Sequence, residues 1–284
     1  MCISMKPAWL NKKINFKSCS ELKRALRDLR LNTVCEQAMC PNIGECFARN
    51  EATFLILGRN CTRMCSFCNI KKEKPLPADF DEPVRVAAAV ERFGLKHVVI
   101  TSVTRDDLED GGAGIFAQTV LSIKQMAPDV AVELLIPDFK LSLEALRVVV
   151  ESKPQIIAHN IETVPSLYRV ARQGADYARS LSLLRMIKKI SPKLKTKSGL
   201  MLGLGEKEAE VIAAMEDLRA VDCDFLSIGQ YLAPSQMHYP VKEYIPPEKF
   251  DYYKEKGACL GFLHIQSSPY VRSSYRAADY LLGN

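Results

Sequence analysis

Six short, almost wholly apolar runs recur along the chain, and stretches with helical periodicity lie between them. The runs are Thr53–Leu57, His97–Thr101, Val130–Ile136, Gln155–Asn160, Thr196–Leu202 and Phe225–Gln230. The amphipathic segments lie near 83–93, 114–126, 141–151, 176–190 and 206–220. Strands without polar alternation are covered on both faces, and parallel strands joined by helices achieve that. Six units fall two short of a closed eight-unit barrel, so the pattern predicts an α/β fold, an open, partial (β/α)6 TIM-like barrel. A doubly wound sheet is the competing topology. Residues 1–52 read as an N-terminal extension, 53–232 as the barrel and 233–284 as a C-terminal extension. The N-terminal arm ends in a short helix from Ser20 to Leu29 that Ser20 could cap. After 231 the chain turns Pro- and Tyr-rich, then offers one more apolar run, Leu263–Gln266.

The chain carries ten cysteines, at 2, 19, 35, 40, 46, 61, 65, 68, 223 and 259. No apolar run approaches the roughly 20 residues of a membrane span. Met1-Cys2-Ile3-Ser4-Met5 is no signal-peptide core, so a cytoplasmic, reducing compartment is expected. There, clustered cysteines favour metal or redox chemistry over disulfides. Cys61, Cys65 and Cys68 form a C-x3-C-x2-C set directly after the first strand, where barrel-like folds carry their chemistry. Three thiolates can hold three irons of a [4Fe–4S] cluster and leave the fourth open, the mark of a catalytic site. A zinc knuckle usually wants four protein ligands, and the tight spacing argues against unrelated buried thiols. Cys35, Cys40 and Cys46 form a C-x4-C-x5-C set that needs a fourth ligand from elsewhere. A structural zinc completed by a distant His or Cys fits that spacing too.

The C-x3-C-x2-C spacing, with the aromatic Phe67 before its third cysteine, resembles the radical S-adenosylmethionine (SAM) enzymes. That resemblance implies a barrel of radical SAM type. It also implies a cluster whose open iron is chelated by SAM, and cleavage to a 5′-deoxyadenosyl radical. Arg272-Ser273-Ser274-Tyr275 alone is an ordinary polar helix start. Together with both cysteine sets it resembles the lipoyl synthases. So do Lys6–Leu10, Thr101–Leu108, Asp110–Ala113, His159–Thr163, Lys197–Glu206 and Gly229–Leu232. The family resemblance implies a second, auxiliary [4Fe–4S] cluster on Cys35, Cys40 and Cys46, with Ser274 as fourth ligand and Ser273 as the fallback. This cluster would be the sulfur donor and be consumed. The implied reaction inserts sulfur at C6 and C8 of an octanoyl group on a lysine of a lipoyl carrier domain, with one SAM per insertion. The implied partners are an E2 lipoyl domain of a 2-oxoacid dehydrogenase or a glycine-cleavage H protein, an electron donor such as ferredoxin or flavodoxin, and an iron–sulfur carrier.

SAM needs polar groups at strand ends. Thr101 and Ser102 end the second strand, and Asp106 and Asp107 open the loop after it. Asn160 and Glu162 alternate at the end of the fourth. Each could bond the methionine amine or the ribose; for Asp106 and Asp107, helix capping is a strong alternative. Gly111 and Gly112 let backbone approach a ligand, although flexibility alone would explain them. Arg169 and Arg172 could pair with a carboxylate or lie solvated on a helix. Met201 and Leu202 could pack on adenine, although core packing is the commoner role. The four histidines show no metal spacing, and Cys2, Cys19, Cys223 and Cys259 read as plain thiols.

Net charge is +6, from 39 basic and 33 acidic residues. Residues 1–30 hold eight basic and two acidic residues and so carry all of it. A solvated arm is the bland reading, and a dock for an acidic carrier is the sharper one. Nucleic acid is not expected, because no stacking aromatics interleave with the basic residues. Another radical SAM enzyme with an auxiliary cluster, a two-cluster electron carrier and a zinc-stapled binding module are the competing functions.

Overall fold

A computed structural model describes residues 6–11, 20–49 and 51–282. Cys2, Cys19, Lys12, Lys13 and Lys17 lie outside the described residues. The arm helix α1 (Ser20–Asp28) leads to β1 (Asn32–Thr33), α2 (Val34–Gln37) and α3 (Ile43–Ala48). Thr33 caps α2 by accepting from the Glu36 amide. The repeat then runs β2 (Thr53–Ile56), α4 (Glu82–Arg92), β3 (His97–Ser102), α5 (Ala113–Met126), β4 (Ala131–Leu135) and α6 (Leu143–Glu151). It continues with β5 (Ile156–Ala158), α7 (Tyr168–Ala171), α8 (Tyr177–Ile190), β6 (Lys195–Leu202), α9 (Glu208–Arg219) and β7 (Phe225–Gln230). The chain closes with α10 (Pro247–Cys259), β8 (His264–Ser267) and α11 (Asp279–Leu282).

All eight strands join one sheet in chain order; β1 is antiparallel to β2 and every other pair is parallel. A doubly wound sheet would reverse direction partway, so this order excludes it. No pairing joins β8 back to β1 or β2 among the described residues, so the barrel is open. The sheet exceeds the expected six strands at both ends. The late apolar run becomes β8, carried there by α10. That helix escaped the sequence pattern because Lys, Glu and Tyr occupy most of it, and only Phe250, Tyr253 and Gly257 are buried. No helix among the described residues is long and apolar enough to cross a membrane.

Alternate strand residues face the helices. Phe54, Val98, Ile100, Val132, Leu134, Ile157, Leu200, Leu226 and Ile228 belong to one buried core with the helices' apolar stripes. Each such side chain contributes about 1.5–3 kcal/mol by leaving water. The other strand face is concave and receives the C-terminal segment. Beyond β8 the chain first continues the ladder along β7, with Ser268 N donating to Ile228 O at 3.1 Å and Gln230 N to Pro269 O at 3.2 Å, before Val271 comes over that face. The two extensions meet there: Asn42 Nδ2 donates to Tyr270 O at 2.7 Å, and Tyr275 Oη to Glu45 Oε1 at 2.8 Å.

This seating depends on a missing side chain. A Cβ on Gly229 would stand 2.0 Å from Val271 O. Gly229→Ala therefore pushes the C-terminal segment off the sheet. The expected cost is about 2–3 kcal/mol, as for overpacking elsewhere, read as a lower urea midpoint. An unchanged midpoint would show that the segment is not seated this tightly.

Candidate active site

The C-x3-C-x2-C loop leaves β2 through Gly58 and is fixed at several points. Cys61 N donates to Lys71 O at 2.8 Å, and Cys61 Sγ accepts from Thr104 N at 3.4 Å. Thr62 Oγ1 donates to Thr104 O at 3.0 Å. Ser66 N donates to Ala171 O at 3.0 Å, and Tyr239 N to Ser66 O at 2.9 Å. The firmest anchor is Arg63, inside the loop itself. Its guanidinium bonds Asp106 at 2.9 and 3.1 Å and Asp138, just past β4, at 2.6 and 2.8 Å. The sequence reading missed Arg63 and Asp138. Their only signal was an arginine among cysteines, and the partners stand 75 residues apart.

Burial pushes Asp138 up, but the Arg63 bonds outweigh it and hold the carboxyl down at about 2. A depressed carboxylate stabilises the fold fully above its ordinary value near 4, and that contribution fades as pH falls toward 2. Asp138→Asn strips one partner from a buried cation. It is expected to cost about 3 kcal/mol at pH 7, measured by urea unfolding, with the difference shrinking below pH 4. A cost that stayed constant across that range would refute the assignment.

Polar groups converge beside the loop. Asn160 Nδ2 donates to Glu162 Oε1 at 3.0 Å, and Ser273 Oγ donates to Asn160 Oδ1 at 3.0 Å. Glu162 sits at φ +66°, a strained value for a side-chain residue, and is pinned by Glu162 N to Gly199 O and Met201 N to Glu162 O. Burial raises its carboxyl; Arg172 and the Asn160 bond oppose. Arg172 is buried and donates to Tyr168 Oη at 2.7 Å and Ser180 Oγ at 3.1 Å. Burial also raises the Cys65 thiol, chiefly opposed by Arg172. Cys68 is pushed up to about 12 by burial, with Cys65 and Cys61 adding repulsion.

A second site opens between the two extensions. A cavity of about 310 Å³ is lined by Cys35, Cys40 and Cys46, by the starts of β2 and β3 and by Arg272, Ser274 and Tyr275. Residues from the two ends of the chain thus share one wall. Burial pushes Cys35 and Cys46 up to about 12, and neighbouring thiols of the same set add to both. Thiols that resist ionisation together become thiolates when a metal supplies the positive charge, so both sets have donor chemistry that fits an iron–sulfur cluster. Among the described residues no three His, Cys, Asp or Glu side chains form the ligand set of a single ion. The ligands of a cubane, one per iron, stand farther apart than those of one ion.

The remaining expected contacts lie at the C-terminal ends of the strands, as the Cys61–Cys68 loop does. Thr101 is buried and its hydroxyl donates to Leu135 O at 2.8 Å. The Ser102 hydroxyl is buried and has no bonding partner among the described residues. Asp107 is held by Arg105 at 2.8–3.2 Å, which lowers its carboxyl. Phe67 and Met201 are half-buried. Ser273 turns to Asn160 while Ser274 faces the cavity, a split between neighbours that spacing could not reveal. His159 is buried; its ring nitrogens lie 2.8 Å from Ile136 O and 3.0 Å from Ser180 Oγ, and burial drives it down to about 4. Cys223 is buried away from both sets and Cys259 is exposed.

The radical SAM superfamily model matches residues 55–218. A lipoyl synthase of a Geobacter species is 60% identical over 276 residues, 97% of this chain and 94% of that protein. The lipoyl synthase of Geobacter sulfurreducens is 59% identical over 280 residues, 99% of this chain and 92% of that one. That of Caldanaerobacter subterraneus is 55% identical over 272 residues, 96% and 95% respectively. Among solved structures, SuiB of Streptococcus suis superposes with a TM-score of 0.59 at 12% identity, covering 88% of this chain and 59% of that one. Methylornithine synthase gives 0.53 at 17% identity, covering 83% and 65%. These two similarities speak to fold alone. Identity near 60% over almost the full length, on a radical SAM barrel, places the chain in the lipoyl synthase family.

Proposed function

We propose that this chain inserts two sulfur atoms, at C6 and C8, into an octanoyl group carried on a lysine of a lipoyl carrier domain. The observation that carries the reading is the cavity that gathers Cys35, Cys40, Cys46 and Ser274 in a chain that also carries the C-x3-C-x2-C loop after β2. An unactivated alkyl carbon has no acidic proton, so no side-chain base can open it. Bound at Cys61, Cys65 and Cys68, a [4Fe–4S] cluster with SAM supplies a primary carbon radical strong enough to take that hydrogen. Cys35, Cys40, Cys46 and Ser274 would hold the auxiliary cluster, the sulfur donor that each lipoyl group consumes. A serine oxygen among thiolates is the weak ligand, suited to a cluster that must open.

The chain's own residues supply position. Arg63 ties the cysteine loop to β4, and Ser66 ties it to α7. Asn160, Glu162 and Arg172 form the polar group for the amino-acid end of SAM, with Phe67, Ser102 and Met201 as further contacts. Thr101 and Asp107 would reach SAM with lone pairs left over from their bonds to Leu135 and Arg105. Ser273 couples the two sites, because its bond to Asn160 lies one residue from Ser274. The barrel mouth must also hold the acyl chain dry and near both centres.

We place the work in the cytoplasm. The partners would be an octanoylated E2 lipoyl domain or H protein, a ferredoxin or flavodoxin as reductant, and an iron–sulfur carrier to rebuild the spent cluster. The basic arm fits an acidic carrier. Reversing charge at Lys12, Lys13 and Lys17 is expected to weaken carrier binding about tenfold at low salt and to flatten its salt dependence. Titration at two ionic strengths reads both, and equal affinities would end the docking idea.

The deciding experiment incubates reconstituted protein anaerobically with an octanoyl-lysine carrier domain, SAM and dithionite, then weighs the carrier. Gain of two sulfurs with release of 5′-deoxyadenosine is expected. Deoxyadenosine without sulfur on the carrier would move the substrate elsewhere. No SAM cleavage with both clusters intact would make an electron carrier the better reading.

A further inference from the structure

Strands β4 and β6 bury an ion pair that the proposed chemistry does not use. Glu133 and Lys197 are fully buried, and Lys197 Nζ stands 3.0 and 3.3 Å from the two carboxylate oxygens. Taking two ions out of water is costly, and apolar side chains of similar volume would fill the space as well. A structural filler therefore needs no charge here.

A third partner gives the charge a task. Lys197 Nζ lies 3.8 Å from the centre of the Tyr280 ring. An ammonium over an aromatic face is attracted by the ring's quadrupole, most strongly where water is excluded. Tyr280 is fully buried, edge-on to Phe225 at 5.4 Å and to His264 at 4.9 Å. With Ile156 and Phe225 it forms an apolar cluster apart from the main core. Its hydroxyl also donates to Leu226 O at 3.3 Å. Tyr280 is thus the anchor of α11 in the concave face, six residues beyond Ser274 on the same segment. On its other side Glu133 stands 3.9 Å from His97 Nε2, and His97 lines the cavity that holds Ser274. The pair therefore sits between the anchor of the C-terminal segment and the cavity wall.

We propose that Glu133 and Lys197 are positioning residues for the sulfur-donor site. Lys197 grips the Tyr280 ring and so sets where Ser274 stands against Cys35, Cys40 and Cys46. This rests on reading the cavity as the auxiliary-cluster site. Glu133 keeps the lysine charged and aimed, and neither residue acts on substrate. A serine is a weak ligand whose hold depends on placement, so a slack segment would release it before the carrier arrives.

The test separates this role from folding. Glu133→Leu/Lys197→Met removes both charges and keeps the volume. Tyr280→Leu removes the ring, whereas Tyr280→Phe keeps it. Each variant is reconstituted as the full chain. Readouts are iron content, the Mössbauer spectrum of the resting clusters, SAM cleavage, and sulfur transferred to an octanoyl-lysine peptide. The double variant and Tyr280→Leu should cleave SAM within about twofold of the parent, while sulfur transfer falls roughly 100-fold, as for an ångström-scale misplacement. Their resting spectra should lose the site with an oxygen ligand, and Tyr280→Phe should restore both readouts. Should the double variant fail to fold, Tyr280→Leu against Tyr280→Phe decides alone. Parent-level sulfur transfer with an unchanged spectrum would overturn the proposal while two clusters remain. A parent that binds only one cluster, with iron content unaffected by Cys35→Ala, would overturn the auxiliary-site reading and this proposal with it.

Discussion

Cys65→Ala is expected to abolish 5′-deoxyadenosine formation, a fall of more than roughly 1,000-fold, because the hard step belongs wholly to the cofactor that this thiol helps to hold. Iron should drop from about eight per chain toward about four, one cluster's worth. The fold should survive. The loop is tied by Arg63 to Asp106 and Asp138, by Thr62 to Thr104 and by Ser66 to Ala171, and none of these bonds uses the Cys65 side chain. Cys259→Ser is the matched control, since Cys259 is exposed and outside both sets. It should change neither iron nor turnover. Anaerobic iron assay and chromatography of deoxyadenosine give the answer together. Undiminished SAM cleavage in Cys65→Ala would remove this loop from the radical chemistry.

The parts of this molecule that were legible in its sequence are those built from local pattern. Strands such as His97–Ser102 and Phe225–Gln230 are mostly apolar runs because helices cover one face and the barrel interior the other, and such runs stand out against charged helices. The cysteine loop was legible because a tight metal-binding spacing leaves few alternatives. What failed to show was set by tertiary contact. Helix α10 has too few buried positions to display a period, although a Cβ on its Gly257 would press within 2.3 Å of Ile265 on β8. β1 is two residues long and exists only because β2 offers an edge. The Arg63–Asp138 pair and the Lys197–Tyr280 contact join residues on separate repeats. For Asp107 the sequence left ligand binding and helix capping both open, and only the fold shows its commitment to Arg105 two residues earlier.

Ser274→Ala is expected to uncouple the two halves of the reaction. SAM cleavage should continue within about threefold of the parent, since Cys61, Cys65 and Cys68 are untouched, while lipoyl product falls by at least roughly 100-fold for want of a correctly held donor. The contrast with its neighbour gives the experiment its force. Ser273 and Ser274 are the two central residues of a turn closed by Tyr275 N donating to Arg272 O at 2.9 Å, and here Ser273 spends its hydroxyl on Asn160 while Ser274 lines the cavity with the three cysteines. Ser273→Ala deletes one hydrogen bond, about 1 kcal/mol, and should lower product about fivefold while leaving auxiliary iron in place. Ser274→Cys supplies a thiolate that holds iron more firmly than an alkoxide. That variant should keep both clusters, cleave SAM and release little product, because the donor cluster would no longer open. Anaerobic mass spectrometry of the carrier beside an iron assay distinguishes all three. If Ser273→Ala were the variant that lost product and auxiliary iron, the ligand would be the serine on the Asn160 side, and the C-terminal segment would have to turn over when the cluster binds.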